Sequence, residues 1–166
     1  AQPGDEDANK YVAEIIDYIT SNYDVYILFN YSPNQKSDAL SIYDMCKNKE
    51  NIIIDIYAAS IRDFIKLMNQ CDVLVANEGG TVHIAKALNK PTFTVFSPYV
   101  NKSHWASFED GVKHHSIHLL DKKPELFSSF TYEMRKQIEQ NPEVFYLELT
   151  PEIIIPDLAI FLKNNL

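Results

Sequence analysis

Residues 71–97 of this chain read CDVLVANEGGTVHIAKALNKPTFTVFS. The apolar run Val73–Val75 is typical of a buried parallel strand, and the glycine-centred turn NEGG ends it. Apolar residues then return at helical spacing over residues 81–88, and the alternating segment TFTVF indicates a second strand. The stretch therefore predicts the order strand, loop, helix, strand.

The glycine turn is a candidate site for an anion. Gly79 and Gly80 carry no side chains, so a ligand can approach the main chain, and the free amides of the following helix favour negative charge. Two glycines alone favour a simple tight turn over a ligand site. His83 lies in the first helical turn, where it can donate a hydrogen bond to a phosphate oxygen. These residues predict a phosphate or diphosphate site, and Thr81 beside them is a further candidate for donor binding.

At these residues the chain resembles glycosyltransferase family 9, the ADP-heptose:lipopolysaccharide heptosyltransferases. The C-terminal domain of that family carries a stretch of the form ADLVVGNDSGPMHLAAALGKPVVALFGP, which aligns without a gap. The resemblance extends back to a helix for which the sequence predicts Ser60 as N-cap and Asp63 as its capping-box partner. It covers residues 60–98 well, and Trp105 resembles a tryptophan that the family often places shortly afterwards.

The turn departs from the family pattern at several positions. Gly80 and His83 match it, but Glu78 stands where the family has an aspartate, and Gly79 where it has a serine. Thr81 and the valine after it replace a proline–methionine pair. These differences leave the identity of the donor open.

The resemblance implies a doubly wound parallel α/β sheet of Rossmann-like type, the C-terminal half of a GT-B glycosyltransferase. It implies an inverting transfer of heptose from ADP-heptose to a lipopolysaccharide core acceptor, without a metal or other cofactor. In the family the general base comes from an N-terminal acceptor domain. We expect residues 1–166 to be a single nucleotide-sugar-binding domain, a fragment without that domain, which binds the donor without turnover.

The pattern along the rest of the chain predicts the same α/β architecture. Helices are expected over residues 5–22 and 36–47, and strands over YDVYILFN and NIIIDIY. Alternating helices and strands favour a parallel sheet covered on both faces. Ligands bind beyond the carboxyl ends of such strands. One cleft should therefore be lined by four loops: Asn30–Pro33, Tyr57–Ser60, Asn77–Gly80 and Ser97–Tyr99.

Three residues in the first part of the chain are further candidates for donor binding. Tyr57 lies beside small residues and is predicted to form a wall for a nucleobase, although ordinary packing is an equally good interpretation. Asn30 is a polar residue in the loop where the family often has an acid for the ribose. Lys10 resembles a lysine that the family places where it neutralises diphosphate charge.

Composition limits the classes of partner. With 166 residues, of which 46% are hydrophobic, the chain can bury one core. A net charge of −8 argues against binding to nucleic acid or to an anionic membrane surface. The sequence contains neither a membrane-spanning apolar run nor an export signal, so we expect a cytoplasmic protein with only peripheral membrane contact.

Histidines and cysteines raise the question of a metal. In KHHSIH, His114 and His118 would share one face of a strand and His115 the other, so a solvated strand edge is favoured over a metal site. Cys46 and Cys71 lack metal-ligand spacing and are expected to be reduced thiols.

Towards the C-terminus the pattern is weaker. Residues 131–140 predict one solvent-facing helix, and Thr150 begins a closing helix that Pro156 is expected to break or shift.

Two other functions fit parts of the sequence. A nucleotide-sugar epimerase or hydrolase would need carboxylates at the sugar, for which Glu78 is the one well-placed acid. A non-catalytic nucleotide-binding or flavodoxin-like interaction module is compatible with the length and the acidic charge.

Overall fold

The computed structural model describes residues 3–98, 100–127, 131–133, 136, 140 and 143–166. The chain forms two compact units, Ala1–Leu67 and Met68–Leu166. Most of the helix predicted over residues 131–140 and the last residue of the predicted Ser97–Tyr99 loop lie outside the described residues.

The first unit alternates helices with short parallel strands. In chain order its elements are α1 (Pro3–Asn22), β1 (Ile27–Leu28), α2 (Lys36–Met45) and β2 (Ile52–Ile53). The strands pair in parallel, with Ile27 opposite Ile52 and Leu28 opposite Ile53. The ladder is much shorter than the predicted strands, although one further backbone bond, from Phe29 N to Ile53 O, continues it.

The core of the first unit lies between α1, α2 and the strands. Buried residues from α1, α2 and β2 and from the position after α2 form one cluster: Ala13, Ile16, Ile42, Cys46 and Ile52. Ile27 of β1 is partly buried and packs against it. Apolar residues on one face of each helix therefore account for the packing, as their helical spacing predicts.

Helix α3 (Ile61–Gln70) begins after the predicted N-cap Ser60, which bonds to its predicted partner Asp63. Ser60 Oγ accepts a hydrogen bond from Asp63 N at 3.2 Å and donates one to Asp63 Oδ2 at 2.6 Å. The cap satisfies one of the amides that a helix start leaves without a helical partner.

The second unit is built on a three-stranded parallel sheet. Its elements are β3 (Leu74–Asn77), α4 (Gly80–Ala87), β4 (Thr92–Val95), α5 (Lys102–Trp105), β5 (His114–Ile117), α6 (Leu119–Lys122), α7 (Glu143–Tyr146) and α8 (Pro151–Asn165). The strand order is β3-β4-β5. In register, Leu74 lies opposite Thr92 and Thr92 opposite His114. The predicted strand, loop, helix and strand are thus confirmed nearly to the residue.

Burial differs between the strands of this sheet. The central strand β4 is buried almost throughout, whereas β3 alternates between half-buried and exposed positions. The expectation of a fully buried run at residues 73–75 was wrong, because β3 is at the edge of this sheet and Val75 faces solvent.

Helix α8 covers the sheet of the second unit. Phe161 packs on Phe93 of β4, with ring centroids 5.7 Å apart, and both are buried. The helix runs without a break through Pro156, contrary to the expectation from sequence. Proline removes only one hydrogen bond here, and burial of Ile154, Leu158 and Phe161 holds the turns on either side of it.

Both units combine helices with parallel strands, which confirms the predicted Rossmann-like α/β class. No helix in the described ranges is long and apolar enough to cross a membrane.

Candidate functional site

The glycine turn links the end of β3 to the start of α4. Gly79 is the N-cap of α4, with φ 153° and ψ −175°, a backbone conformation that is essentially restricted to glycine. Gly80 is the first residue of the helix, and its φ is in the ordinary negative range. The two glycines therefore have different roles: only the first is required by the backbone.

The start of α4 lacks the side-chain cap that α3 has. The N-cap Gly79 provides no side chain to accept from the first-turn amides, and its carbonyl accepts from Val82 N at 3.1 Å. A Cβ built on either Gly79 or Gly80 meets no atom within 4 Å, so the space in front of the turn is open. Free amides, the positive end of the helix dipole and open space together suit an anionic ligand.

Glu78 ties this turn to the end of β4. Its Oε2 accepts a hydrogen bond from Ser97 N at 2.8 Å, and its own N–H donates to Val95 O at 3.2 Å. Ser97 is fully buried, and its Oγ has no hydrogen-bond partner in the described part of the chain. Two of the predicted loops, after β3 and after β4, are therefore in direct contact.

Thr81 and His83 extend from the first turn of α4 into solvent. The imidazole of His83 lies beside the indole of Trp105, with ring centroids 6.2 Å apart and an interplanar angle of 37°. Trp105 resembles a family tryptophan in sequence, but the sequence pattern does not predict its contact with His83.

Two of the three candidates in the first unit, Asn30 and Tyr57, lie in adjoining loops. Asn30 Oδ1 accepts a hydrogen bond from Ala58 N at 2.7 Å, which joins the loops that follow β1 and β2. The ring of Tyr57 stacks on Tyr31, with centroids 4.9 Å apart and planes 21° apart. Lys10 is an exposed residue of α1. A cleft shared by all four predicted loops stays a prediction.

The C-terminal end of α4 is closed by the protein itself. Lys90 N donates to Ala85 O and Asn89 N to Lys86 O, both at 2.9 Å, and Asn89 takes a left-handed conformation with φ 61°. This is a Schellman motif, which satisfies the last carbonyls of a helix. After glycine, asparagine is the residue that most often takes this left-handed position.

A buried ion pair reinforces that end and was not predicted. Lys86 Nζ lies 2.5 Å from Glu109 Oε1 and donates to Ser107 O at 2.7 Å. The two charged side chains are only 5% and 14% exposed. The two residues are 23 positions apart in the sequence, and no local sequence pattern predicts a contact at that separation.

The histidine segment is more buried than expected. His114 and His118 are both buried, so the prediction of solvated imidazoles was wrong. Burial lowers the pKa of both rings, and the charge of Lys86 lowers the pKa of His114 further. His114 Nδ1 lies 3.0 Å from Thr92 Oγ1, and His118 accepts from Leu120 N at Nδ1, at 2.9 Å. Each imidazole is thus part of the local packing.

The thiols and carboxylates form no further cluster. In the described ranges, no three histidine, cysteine or acidic side chains gather where they could hold a metal ion. Cys46 and Cys71 are free thiols, and burial raises the pKa of Cys46 to about 11.

Comparison with known proteins identifies the family. The model of glycosyltransferase family 9 (heptosyltransferase) matches residues 8–137, well over half of the 166 residues, including both candidate groups. No curated protein sequence and no solved structure gives a significant match. On the family match, this chain belongs to glycosyltransferase family 9.

Proposed function

We propose that this chain binds the nucleotide-sugar donor of an inverting glycosyltransferase, with the diphosphate at the glycine turn. The donor in this proposal is ADP-heptose, the acceptor is a lipopolysaccharide core, and the fold is half of a GT-B enzyme. One observation carries the proposal: the uncapped start of α4 opens on free space in front of Gly79 and Gly80. Family membership supports the glycosyl-transfer chemistry.

In the proposed reaction the bond between the sugar's anomeric carbon and the diphosphate oxygen breaks, and its electron pair leaves with the diphosphate. The acceptor hydroxyl oxygen bonds to the same carbon from the opposite face, and its proton passes to a general base that we do not assign to this chain. Amides at the start of α4 and the exposed ring of His83 would stabilise the charge that builds on the leaving group. The protein supplies this charge stabilisation without a metal.

The other candidate residues have distinct parts in the proposal. Glu78 fixes the turn through Ser97 N, so that the amides keep one orientation. Thr81 is an exposed hydroxyl next to those amides. Asn30, Tyr57 and Lys10 are proposed to contact the nucleoside and the diphosphate charge.

Thermal protection by nucleotides tests the proposal. ADP at a hundred times its dissociation constant should raise the free energy of unfolding by about 2.7 kcal/mol, and UDP should protect less. Gly80→Val should abolish the protection while the fold survives, because the added side chain would occupy the open space that the diphosphate needs. The matched control is Ala87→Val, an exposed substitution at the other end of α4, which should leave protection intact.

Three outcomes would change the proposal. Failure of every nucleotide to protect the unsubstituted chain would favour an interaction module. Stronger protection by UDP than by ADP would favour the epimerase relatives. Undiminished ADP protection in folded Gly80→Val would remove the diphosphate from this turn.

A further inference from the structure

The chain contains a single tryptophan, and it is exposed. Trp105 ends the short helix α5, and half of its surface (50%) is accessible to solvent. An exposed indole forgoes the burial that normally stabilises an aromatic ring. Its one recorded ring contact in the described part of the chain is with His83, on the first turn of α4.

Hydrogen bonds and an ion pair hold the segment of Trp105. Asn101 Oδ1 accepts from Ser103 N at 3.1 Å to cap α5, and Ala106 N donates to Lys102 O at 2.8 Å. Lys102 Nζ in turn pairs with Asp121 at 2.7 Å. The backbone that carries the indole is thus held in place, while half of the indole's surface stays accessible. An aromatic side chain on an ordered backbone loses less entropy when a ligand stacks on it than one on a mobile segment does.

We propose that the open face of Trp105 stacks on the transferred sugar of the nucleotide-sugar donor, which makes it a specificity-determining residue. The proposal rests on the proposed function, because it requires the diphosphate at the start of α4. His83 lies one helical turn from Gly80 and beside Trp105, so the imidazole links the diphosphate position to the indole. The group bonded directly to the diphosphate would therefore reach the ring.

The chemistry of the pair favours a sugar at this position. A sugar ring has one apolar face of C–H groups and a rim of hydroxyls, and a flat indole suits the face. The exposed nitrogens of His83 can donate to or accept from hydroxyls at the rim. A nucleobase is the competing occupant, and a comparison of ADP-heptose with ADP separates the two.

Intrinsic fluorescence gives a direct measurement because the chain has one indole. Trp105 is excited at the red edge of the protein spectrum, where tyrosine does not absorb, while ADP and ADP-heptose are titrated separately. We expect ADP-heptose to change the emission and ADP to change it far less. Thermal protection by the same two ligands, measured in parallel, reports whether each is bound at all.

Substitution of Trp105 then measures its contribution to affinity. By calorimetric titration, Trp105→Ala should weaken ADP-heptose binding about three- to tenfold, the range expected for one aromatic stack, and leave ADP binding unchanged. Trp105→Phe should retain most of the affinity. Tyr26→Ala, which removes an exposed aromatic ring at the start of β1, is the matched control and should bind both ligands normally.

The outcomes separate this inference from the proposed function. If Trp105→Ala weakens ADP and ADP-heptose equally, the nucleoside lies on the indole and the sugar assignment is overturned. If both ligands protect the chain, but ligand binding leaves the emission of Trp105 unchanged and Trp105→Ala binds both ligands normally, the inference fails and the proposed function stands. If neither ligand binds the unsubstituted chain, the proposed function fails, and this inference with it.

Discussion

The two ends of helix α4 are built in opposite ways. At its C-terminal end a Schellman motif and the buried Lys86–Glu109 pair satisfy carbonyls and charges within the protein. At its N-terminal end Gly79 offers no cap, and Gly80, Thr81 and His83 face solvent. The C-terminal end of α4 therefore has partners within the protein, apart from Glu109 Oε2, whereas the first turn of the helix has no side-chain cap.

The difference shows which end of α4 is stabilised by the protein itself and which end is left accessible to a ligand. A glycine N-cap costs a helix roughly a few tenths of a kcal/mol relative to a Ser, Thr, Asp or Asn cap, and α3 shows that this chain builds such caps elsewhere. The closed end of α4 anchors the helix on the segment that contains Ser107 and Glu109. A helix fixed at one end can hold its open end in place before a ligand arrives, which is the condition for electrostatic preorganisation.

Removal of the buried charge should have the largest effect on this arrangement. Lys86→Met leaves Glu109 buried without its cation, so we expect the free energy of unfolding to fall by about 3–5 kcal/mol. Chemical denaturation of the purified variant measures the loss. The matched control is Lys66→Met, which breaks an exposed pair with Asp63 and should cost less than about 1 kcal/mol.

A double variant separates the cost of an unpaired charge from that of lost packing. Lys86→Met with Glu109→Leu should regain much of the stability, because no buried charge is then left without a partner. Similar losses for Lys86→Met and Lys66→Met would contradict the view that the C-terminal end is the anchor.

The second prediction concerns the open end. Gly79→Ala forces a side chain into a backbone conformation that only glycine adopts readily, so we expect a loss of about 1–3 kcal/mol. Gly80→Ala is the control, because this residue has ordinary helical geometry and open space around it, and alanine is the better helix former. Denaturation midpoints that are equal in the two variants would show that the turn relaxes to another conformation.

The sequence predicted the elements around α4 closely, because each of its signals was local. Asn89 and the proline that follows end the helix, and paired glycines mark its start. The strands of the first unit were predicted at the right places but too long. Ile56 is apolar and was therefore included in the predicted strand. It is half exposed, however, and lies beyond the paired residues. The hydrophobic pattern predicts the position of a strand well, but it predicts the length of the paired ladder less well.

The contacts that give the candidate site its character could not be predicted in this way. The contact between His83 and Trp105 depends on two helices separated by a strand, and the Lys86–Glu109 pair on a loop. The histidines were misjudged for a similar reason. Their own pattern is that of a strand edge, and burial of His118 depends on side chains distant in sequence, such as Phe96 and Phe127.

A smaller effect should appear as a pH dependence of stability. Burial holds the pKa of His118 below its ordinary 6.5, so the unfolded chain binds a proton more readily than the folded one. The contribution of neutral His118 to the free energy of unfolding should therefore be fully present above pH 6.5. It should decline as the pH falls towards the pKa of the folded state. His114 contributes in the same direction. The free energy of unfolding measured across this range tests the sign.

His118→Asn tests which group is responsible. Asparagine can still accept from Leu120 N at the start of α6 but does not titrate, so the decline in acid should be shallower. The charged groups around this ring, Asp121, Lys102 and Glu78, stay the same in the variant. An unchanged slope would assign the pH dependence to other residues.

The smallest effect is a predicted gain of stability in the loop that closes α4. Phe108 is 83% exposed and has φ 64°, a left-handed conformation that is unfavourable for a bulky side chain. Phe108→Asn should stabilise the chain by about 0.5–1 kcal/mol, because asparagine tolerates this conformation, as Asn89 does at the end of α4. Phe108→Ala removes the same ring but keeps the unfavourable geometry, so its denaturation midpoint should stay near that of the unsubstituted chain. If alanine stabilises as much as asparagine, loss of the exposed ring and not relief of backbone strain explains the gain, and the loop anchors α4 without stored strain.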